Sequence, residues 1–552
     1  MLARMLRRPH VAVASVAFVS IAVLAVSSAA PAAGPPSRPG KTPAYTLANV
    51  GAYGGEPTIA TNSAGELYDT TPSGGTILYK SLDQGATWTQ ATTADPSSGD
   101  DCVFTDQSNA VYECNLAGSE STAPLQADMW KSTDDGQSWM YGNNNINLAA
   151  STNLCGTSCS PFGVDRQWGA ASIPAGGTTN TARVIFMYHD FYGPSQIWVN
   201  VSTDGGKTFG PPEDVLANLT AAGADQGIVA QADSACSTVP AGVSIAQSGA
   251  HVGRIYVAWI ASDPESPATG CNVTMADAFH NLFVAWSDDG GATWTPQLAY
   301  DAGVGHDAST PFVAFTLDNK GNPYFGFTVP APNGNPAVCA AESAAGTVQS
   351  DPTCAYHMWV VWSADGGSTW DGGGGTIPGS AAAAYEVDAS STAQTDLFPT
   401  IAAGDPGKVD VSWLHTNETE PTDPLGKFEP GGCAGPGPAN GNPTFYPPTC
   451  SWNLDAGQSL DLTAVPGSET WTTGALTTTP THVGDICNLG IFCVSPASNR
   501  NLLDFNSETV DPTTGFAHIA YADDNTVNKL RAANQTSGPG IIAPPAHGNK
   551  HP

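Results

Sequence analysis

Three short strings place a histidine or an acid where an apolar run ends. They are Tyr188-His189-Asp190, Leu414-His415 and Asp523-Asp524, and each follows a run typical of a β-strand. Because an imidazole titrates near neutral pH, His189 can act as a general base and then as a general acid, and a polysaccharide lyase would use it beside Tyr188. A histidine at a strand end more often makes a structural hydrogen bond. Both interpretations stay open.

A second set of acidic residues stands ahead of other apolar runs: Glu56, Asp101, Asp165, Asp233, Asp307, Asp396 and Asp504. If these carboxylates converge, they can bind Ca²⁺ through oxygen ligands or accept hydrogen bonds from a polyol. Glu56, Asp101 and Asp233 are therefore possible metal ligands, although no cofactor is required. The alternative is that these acids cap turns in a very acidic protein, since clustered charges are often structural.

Cations are scarce, so the few near these acids stand out. Arg166 lies in the string Asp165-Arg166-Gln167-Trp168, and Arg500 lies between two asparagines. A planar guanidinium is suited to bidentate recognition, and an indole can stack on a sugar. The candidate ligand-binding residues are Trp168, Arg500 and Asp523. The candidate catalytic residues are Asp165, Arg166, His189, Asp190, Asp307, Asp396 and His415.

Short strands joined by turns must position these residues. Residues 286–296 read WSDDGGATWTP, and the pattern Ser-x-Asp-x-Gly-x-Thr/Ser-Trp/Phe occurs five times. In each copy the Asp carboxylate can accept backbone N–H bonds within a tight turn, and the glycine adopts a conformation that other residues resist. The aromatic residue packs into the core. The five turn aspartates are Asp83, Asp134, Asp204, Asp289 and Asp365.

The sequence contains seven strand–turn–strand units, and five of them are followed by one of these turns. The last unit ends in the apolar string Phe516–Tyr521. Four strands in roughly 50–90 residues, repeated, are typical of a β-propeller. The sequence therefore predicts an all-β propeller of four-stranded blades, with seven blades and with six as the alternative. The seventh unit is one strand short, and residues 45–48 are predicted to return and complete it.

The repeated turn resembles the Asp-box, or BNR repeat, of sialidases and their β-propeller relatives. The resemblance implies that each Asp-box lies between the third and fourth strands of a blade, away from the functional face. It also implies what a sialidase would need: three arginines that grip the substrate carboxylate, a tyrosine nucleophile paired with a glutamate, and an aspartic acid.

The arginines of this chain do not fit that triad. The Arg-Ile-Pro motif of the family is absent. Arg183 and Arg254 begin second strands on the opposite face, and Arg531 lies near the C-terminal end of the predicted propeller. Arg38 lies in the Pro-rich leader. Since Arg166 and Arg500 remain and two arginines cannot form the triad, sialidase activity is disfavoured.

The N-terminal 32 residues have the layout of a secretory signal peptide. Three arginines precede the apolar run 11–26, and small residues follow it. We therefore expect export, with no membrane insertion after cleavage. The predicted organisation is a signal peptide (1–32), a Pro-rich leader (33–44), a single propeller domain (45–534) and a disordered tail (535–552).

Charge and cysteine usage agree with an exported protein. The formal net charge of −32 repels nucleic acid and anionic membranes. Twelve cysteines fall into close pairs, and an even count in an exported chain predicts disulfides rather than zinc. The expected pairs are Cys102/Cys114, Cys155/Cys159, Cys236/Cys271, Cys339/Cys354, Cys433/Cys450 and Cys487/Cys493.

Two functions are compatible with these patterns. In the first, a secreted, monomeric, sialidase-like propeller binds a glycan or another small polar extracellular ligand on its top face. In the second, the protein is an extracellular glycoside hydrolase or polysaccharide lyase that uses the Asp, His and Arg residues of that face. The two differ in whether perturbed carboxylates converge with His189 and Arg166 in one cleft.

Overall fold

The computed structural model describes residues 42–52, 54–72, 76–95, 99–117, 126–142, 164–190, 197–220, 228–229, 232, 238–262, 279–303, 308, 312–330, 356–370, 375–376, 383–388, 394–416, 451–462, 468–483, 486, 501–525 and 529–543. The predicted signal peptide and leader, up to residue 41, lie outside them.

Seven antiparallel sheets form the ring, as predicted. Blade 1 contains β2 (Thr58–Thr61), β3 (Leu67–Pro72), β4 (Thr76–Ser81) and β5 (Thr89–Gln90). Blade 2 contains β6 (Asp101–Thr105), β7 (Val111–Ala117), β8 (Gln126–Ser132) and β9 (Met140–Tyr141). Blade 3 contains β10 (Val164–Ser172), β11 (Arg183–Asp190), β12 (Ile197–Ser202) and β13 (Glu213–Asp214). Short 3-10 helices lie at Thr179–Thr181 and Leu216–Asn218.

The next three blades repeat this order. Blade 4 contains β14 (Thr238–Ile245), β15 (Ile255–Ala261), β16 (Asn281–Ser287) and β17 (Thr295–Asp301). Blade 5 contains β18 (Ala314–Leu317), β19 (Pro323–Pro330), β20 (Tyr356–Trp362), β21 (Gly375–Thr376) and β22 (Ala383–Glu386), with β21 outermost. Blade 6 contains β23 (Asp396–Ala403), β24 (Val409–Thr416), β25 (Ser451–Ser459) and β26 (Trp471–Ala475), and β27 (His482–Val483) also pairs with β25.

Blade 7 joins the two ends of the chain. It contains β28 (Ser507–Val510), β29 (Ala517–Asp523) and β30 (Lys529–Ser537), and β1 (Ala44–Gly51) pairs antiparallel with β30 as the outermost strand. The predicted return of residues 45–48 is confirmed. Backbone hydrogen bonds between the first and last strands therefore close the ring.

Apolar side chains fill the interface between every two neighbouring blades. The strands that supply them are buried on both faces; all seven residues of β20, for example, are buried. Seven separate clusters of buried side chains occupy the seven interfaces. Burying both faces explains why the sequence shows continuous apolar runs instead of strict alternation.

We call the face where the inner strands begin the top face, and the face where they end the bottom face. The five Ser-x-Asp turns connect third and fourth strands, so they lie on the bottom face, where the resemblance placed them. In the first, Asp83 accepts hydrogen bonds from Ser81 Oγ (2.8 Å), Thr87 N (2.8 Å) and Thr87 Oγ1 (2.7 Å), and Gly85 has φ +82°. Asp461 keeps part of this pattern in blade 6, because it accepts hydrogen bonds from Ser459 Oγ and Thr470 N.

The predicted start of the disordered tail at residue 535 is wrong. Strand β30 extends to Ser537, and Ile541 is fully buried. Ile541 N donates to Gly515 O, and Ile541 O accepts from Asp405 N, so residues 538–543 form a strap across the bottom of blades 6 and 7. The alternating Gly and Pro residues hid this, because the strap has no strand periodicity. Residues 544–552 lie outside the described part.

Of the six expected disulfides, the described residues include one pair. Cys102 and Cys114 face each other across β6 and β7 and form a disulfide, with Cα atoms 5.0 Å apart. The other ten cysteines lie outside the described residues: Cys155, Cys159, Cys236, Cys271, Cys339, Cys354, Cys433, Cys450, Cys487 and Cys493. In the part of the chain that the structure describes, no helix is long and apolar enough to cross a membrane.

Candidate functional site

A β-bulge at the top of blade 3 determines where Arg166 points. Asp165 pairs with His189 and Trp168 pairs with Met187, so Arg166 and Gln167 on β10 stand opposite the single residue Tyr188 on β11. Arg166 has φ +57°, a left-handed conformation that is uncommon for a residue with a side chain. Its backbone N–H donates to Asp165 Oδ1 at 2.7 Å. The bulge turns the guanidinium away from the blade and over the ring axis.

The guanidinium lies within a buried group of five residues, which we call the axial plug: Glu56, Arg166, Phe312, Asp504 and Phe505. Arg166 Nη1 lies 3.5 Å from Glu56 Oε1, and Nη2 is ion-paired with Asp504. The guanidinium carbon lies 4.0 Å from the centre of the Phe312 ring. These residues come from blades 1, 3 and 7 and from the segment that leads into blade 5. Because the contacts skip blades 2, 4 and 6, the plug must cover the central channel at the top face.

The buried carboxylates of the plug keep the Arg166 guanidinium charged. Burial alone would lower the pKa of Arg166, but Asp504 and Glu56 raise it above its ordinary value. Burial, followed by the charges of Asp100 and Asp504, raises the pKa of Glu56 well above the usual glutamate value, and Arg166 opposes that rise. Arg166 is therefore committed to internal carboxylates, and it is not available to a ligand at the centre of the top face.

The predicted residues beside the plug are largely buried. His189 is fully buried, its Nε2 lies 3.2 Å from Thr238 Oγ1, and burial lowers its pKa to about 3. A neutral, solvent-shielded imidazole cannot contact a substrate in this conformation. The Trp168 ring packs against Phe505, with centroids 6.3 Å apart. Asp190 ends β11, and its side chain lies outside the described residues.

Two of the predicted residues do meet, between blades 5 and 6. His415 Nδ1 lies 2.7 Å from Asp396 Oδ1, and His415 Nε2 lies 3.2 Å from Gln394 Oε1. Met358 N of blade 5 donates to Asp396 Oδ2 at 3.2 Å, so this carboxylate links the two blades. The His415 side chain is 15% exposed. Asp396 starts an inner strand and His415 ends the second strand, which is why both occupy the top face.

The His415 ring faces acceptor oxygens through both nitrogens, which favours the imidazolium. Burial alone would lower its pKa, but the hydrogen bond and charge of Asp396 raise it to about 9. Burial raises the pKa of nearby Asp455 to about 6, with Asp396 and Asp388 adding to the rise and His415 opposing it. Burial also raises the pKa of Asp396. At neutral pH this group holds an imidazolium, which cannot act as a general base, and one carboxyl that exchanges a proton readily.

A polar cleft lies between blades 6 and 7 on the same face, with a volume of about 320 Å³. Arg531 Nε donates to Asp523 Oδ2 at 3.2 Å, and both side chains are partly exposed. Tyr521, the threonine-rich segment 477–481 and Leu47 complete the lining. Asp523 was predicted from its place at a strand end. Arg531 was missed because it appeared to lie at a frayed end, whereas pairing of β30 with β1 places it inside blade 7.

The remaining predicted positions are either buried away from these sites or outside the described residues. Asp101 is buried and accepts a hydrogen bond from Thr70 Oγ1 at 2.7 Å. Asp233, Asp307 and Arg500 lie outside the described residues. Among the residues that the structure describes, no group of three or more His, Cys, Asp and Glu side chains is arranged to hold a metal ion. A Ca²⁺ site at Glu56, Asp101 and Asp233 stays a prediction.

No known family model matches the chain, and no curated protein matches it. Several solved structures are similar. A protein of unknown function from Dyadobacter fermentans is 13% identical with a TM-score of 0.38, and the match covers 68% of this chain and 94% of that protein. The sialidase of Trypanosoma rangeli is 12% identical with a TM-score of 0.38, and the match covers 88% of this chain and 59% of that protein. The GH74 xyloglucanase of Xanthomonas campestris is 13% identical with a TM-score of 0.40, and the match covers 87% of this chain and 54% of that protein. Similarity this distant transfers no activity.

Proposed function

We propose that the protein is a secreted propeller that binds an extracellular glycan in the cleft between blades 6 and 7 and does not cleave sialosides. The carrying observation is the composition of this cleft. Arg531 and Asp523 form an ion pair at its wall, so the cleft offers guanidinium N–H donors and carboxylate acceptors with little net charge. Vicinal hydroxyl groups of a neutral sugar can use both kinds of group at once.

The other walls suit the same ligand. Thr478 and Thr479 are exposed and present hydroxyls, and the Leu47 side chain is 46% exposed and offers an apolar surface to the C–H face of a sugar ring. A few polar groups on an otherwise uncharged wall are typical of small-ligand sites. The cleft volume is near the lower end of such sites, which favours one or two sugar units.

The axial plug supports the exclusion of sialosides. A sialoside carries a carboxylate, and its recognition requires free guanidinium groups. Arg166 already pairs with two buried carboxylates. The formal charge of −32 further disfavours an anionic ligand.

A glycan array followed by calorimetric titration tests binding. We expect neutral glycans to be retained, and we expect Arg531→Gln and Asp523→Asn each to weaken binding by about tenfold or more, since a hydrogen bond to a charged group contributes roughly 1.5–3 kcal/mol. Arg183→Gln is the matched control, because Arg183 lies on the bottom face and donates to Gly253 O. If no glycan is retained, or if Arg531→Gln binds as the wild type does, the proposal is rejected.

A second function, glycoside hydrolysis, is favoured by one observation in blade 6. Asp455 is 8% exposed, its Oδ1 has no hydrogen-bond partner among the described residues, and its pKa is raised to about 6. Such a carboxyl can protonate a glycosidic oxygen near neutral pH. A substrate screen comparing the wild type with Asp455→Asn tests it: hydrolysis lost in the variant supports this function, and no hydrolysis by the wild type eliminates it.

Export is tested separately. We expect the mature protein in the culture medium, starting near residue 33, when the full chain is expressed in a secreting bacterial host. Terminal sequencing of the secreted protein checks the cleavage point, and retention of residues 1–32 on a cell-associated protein would contradict it.

A further inference from the structure

The bottom face carries a second cavity, separate from the cleft proposed above. It occupies the lower end of the central channel, has a volume of about 330 Å³, and is lined by residues of six blades and by Ile542 of the strap. We propose that this cavity, which we call the axial pit, binds a small neutral polyhydroxylated molecule of monosaccharide size. The axial plug covers the channel at the top, so the ligand enters from the bottom face.

Several side chains at the wall of the pit are polar and uncharged. Thr61, Ser244, Gln247 and Asn319 line the pit with hydroxyl and amide groups. Among the described lining residues there is no Lys, Arg or His, so the pit offers nothing to neutralise an anion. An anionic ligand is therefore disfavoured, more so on a chain with a formal charge of −32.

Two carboxylates at the wall are already saturated. Asp106 Oδ1 accepts from Ser108 N and Ala110 N, and its Oδ2 accepts from the hydroxyls of Tyr112 and Thr179. Asp318 is engaged in the same way, with Oδ1 accepting from two backbone amides and Oδ2 accepting from Asn322 Nδ2 and Tyr324 Oη. Since every oxygen of both groups takes two hydrogen bonds, neither has a free lone pair for direct contact with a cation. A cationic ligand that needs direct carboxylate contacts is therefore disfavoured.

One acceptor remains unsatisfied at the wall. Asn319 Nδ2 donates to Asp405 Oδ1 at 2.7 Å, which fixes the orientation of the amide. Asn319 Oδ1 is then shielded from solvent and has no hydrogen-bond partner among the described residues. A buried carbonyl without a donor costs free energy, so a small movement of the Asn319 side chain that lets a ligand hydroxyl donate to Oδ1 would be favourable. With charged ligands disfavoured, a hydroxyl is the matching donor.

The size of the pit sets the size of the ligand. A volume of about 330 Å³ lies at the lower end of the range for small-molecule sites. A single sugar ring fits this volume. Because Ile542 lines the pit, the bound ligand also contacts the strap that joins blades 6 and 7.

Ligand-observed NMR on the full-length mature protein tests the proposal. The probes are methyl α-glucoside, methyl α-galactoside and myo-inositol, with N-acetylneuraminic acid as the anion and choline as the cation. Val510 is half-buried and lines the pit, so Val510→Trp fills it. Val252→Trp is the matched control, because Val252 is 65% exposed in the bottom turn between β14 and β15 and is not among the pit residues.

We expect at least one neutral probe to bind, with a dissociation constant of roughly 1 mM, and Val510→Trp to weaken it by more than tenfold. Val252→Trp and Asp523→Asn should bind it as the wild type does, which separates this site from the top-face cleft. Asn319→Ala is a second variant in case Val510→Trp does not fold, and a severalfold loss is expected. The proposal is overturned if no neutral probe binds, if only choline or N-acetylneuraminic acid binds, or if the pit variants bind as the controls do.

Discussion

Replacing Arg166 by methionine removes the cation of the axial plug from beside two buried acids, Glu56 and Asp504. Arg166 is 4% exposed, and Glu56 and Asp504 are 2% and 0% exposed. Removing one partner of a buried ion pair costs about 3–5 kcal/mol, because the remaining charge stays buried and uncompensated. Methionine keeps much of the volume, so lost packing against Phe312 adds little. We expect Arg166→Met to lower the free energy of unfolding by that amount near neutral pH.

The loss of unfolding free energy in Arg166→Met should be larger at neutral pH than at acidic pH. In the variant Glu56 lacks the charge that opposes the rise of its pKa, so its folded-state pKa moves further above the ordinary value of about 4.3. A carboxyl with a raised folded-state pKa favours the folded state while it is protonated, and this contribution disappears as the pH rises through that pKa. The deficit of Arg166→Met should therefore be smaller near pH 4.5 than near pH 7.5.

Urea unfolding followed by tryptophan fluorescence at both pH values measures the effect. The control is Arg183→Met, which removes a half-buried arginine that donates to Gly253 O and should cost less than about 1 kcal/mol. The triple variant Arg166→Met, Glu56→Gln and Asp504→Asn removes all three charges and should recover part of the loss at neutral pH. If Arg166→Met is no less stable than Arg183→Met, the plug is not a buried charge network.

Three further outcomes follow from individual residues. Burial raises the pKa of Asp289, but hydrogen bonds from Thr293 and Ser287 lower it overall to about 2. Asp289→Asn should therefore lower the melting temperature at neutral pH, and the difference from the wild type should disappear as the pH falls from about 4 to 2. His415 should titrate near pH 9 by NMR, and Asp396→Asn should return its pKa towards 6.5; a wild-type value near 6.5 would contradict the ion pair. Ile541→Ala should cost about 2–5 kcal/mol in urea unfolding and Ile542→Ala clearly less; equal losses would show that residue 541 does not anchor the strap.

The architecture was predictable because its determinants are local. The hydrogen bonds of the turn at Asp83 join residues no more than four positions apart, so one short pattern encodes the whole turn. The apolar runs before each turn specify strands buried on both faces. Even ring closure was accessible, because the seventh unit lacked one strand and residues 45–48 supplied the missing pattern.

The pair Asp396 and His415 was predictable because both residues lie on one hairpin, 19 positions apart on adjacent strands. Asp523 was predicted as well, but its partner Arg531, eight positions away, was missed. The partners of Arg166 are 110 and 338 positions away. A bulge that adds one residue to β10 brings them together, and its position depends on strand register that no local pattern specifies. The sequence identified Arg166 as exceptional but gave no indication of its partners.

The plug also determines where a ligand can bind. To engage a ligand at the axis, Arg166 would have to leave Glu56 and Asp504, and the separation of a buried pair costs about 3–5 kcal/mol before any ligand contact forms. A complex with a dissociation constant of 1 mM has a binding free energy of about 4 kcal/mol, so this cost would cancel most of it. Sites away from the closed centre avoid this cost. The cleft at Asp523 and Arg531 lies between two blades, and the axial pit lies below the plug. Binding is therefore favoured at the periphery of the top face and at the bottom of the channel, and disfavoured at the centre of the top face.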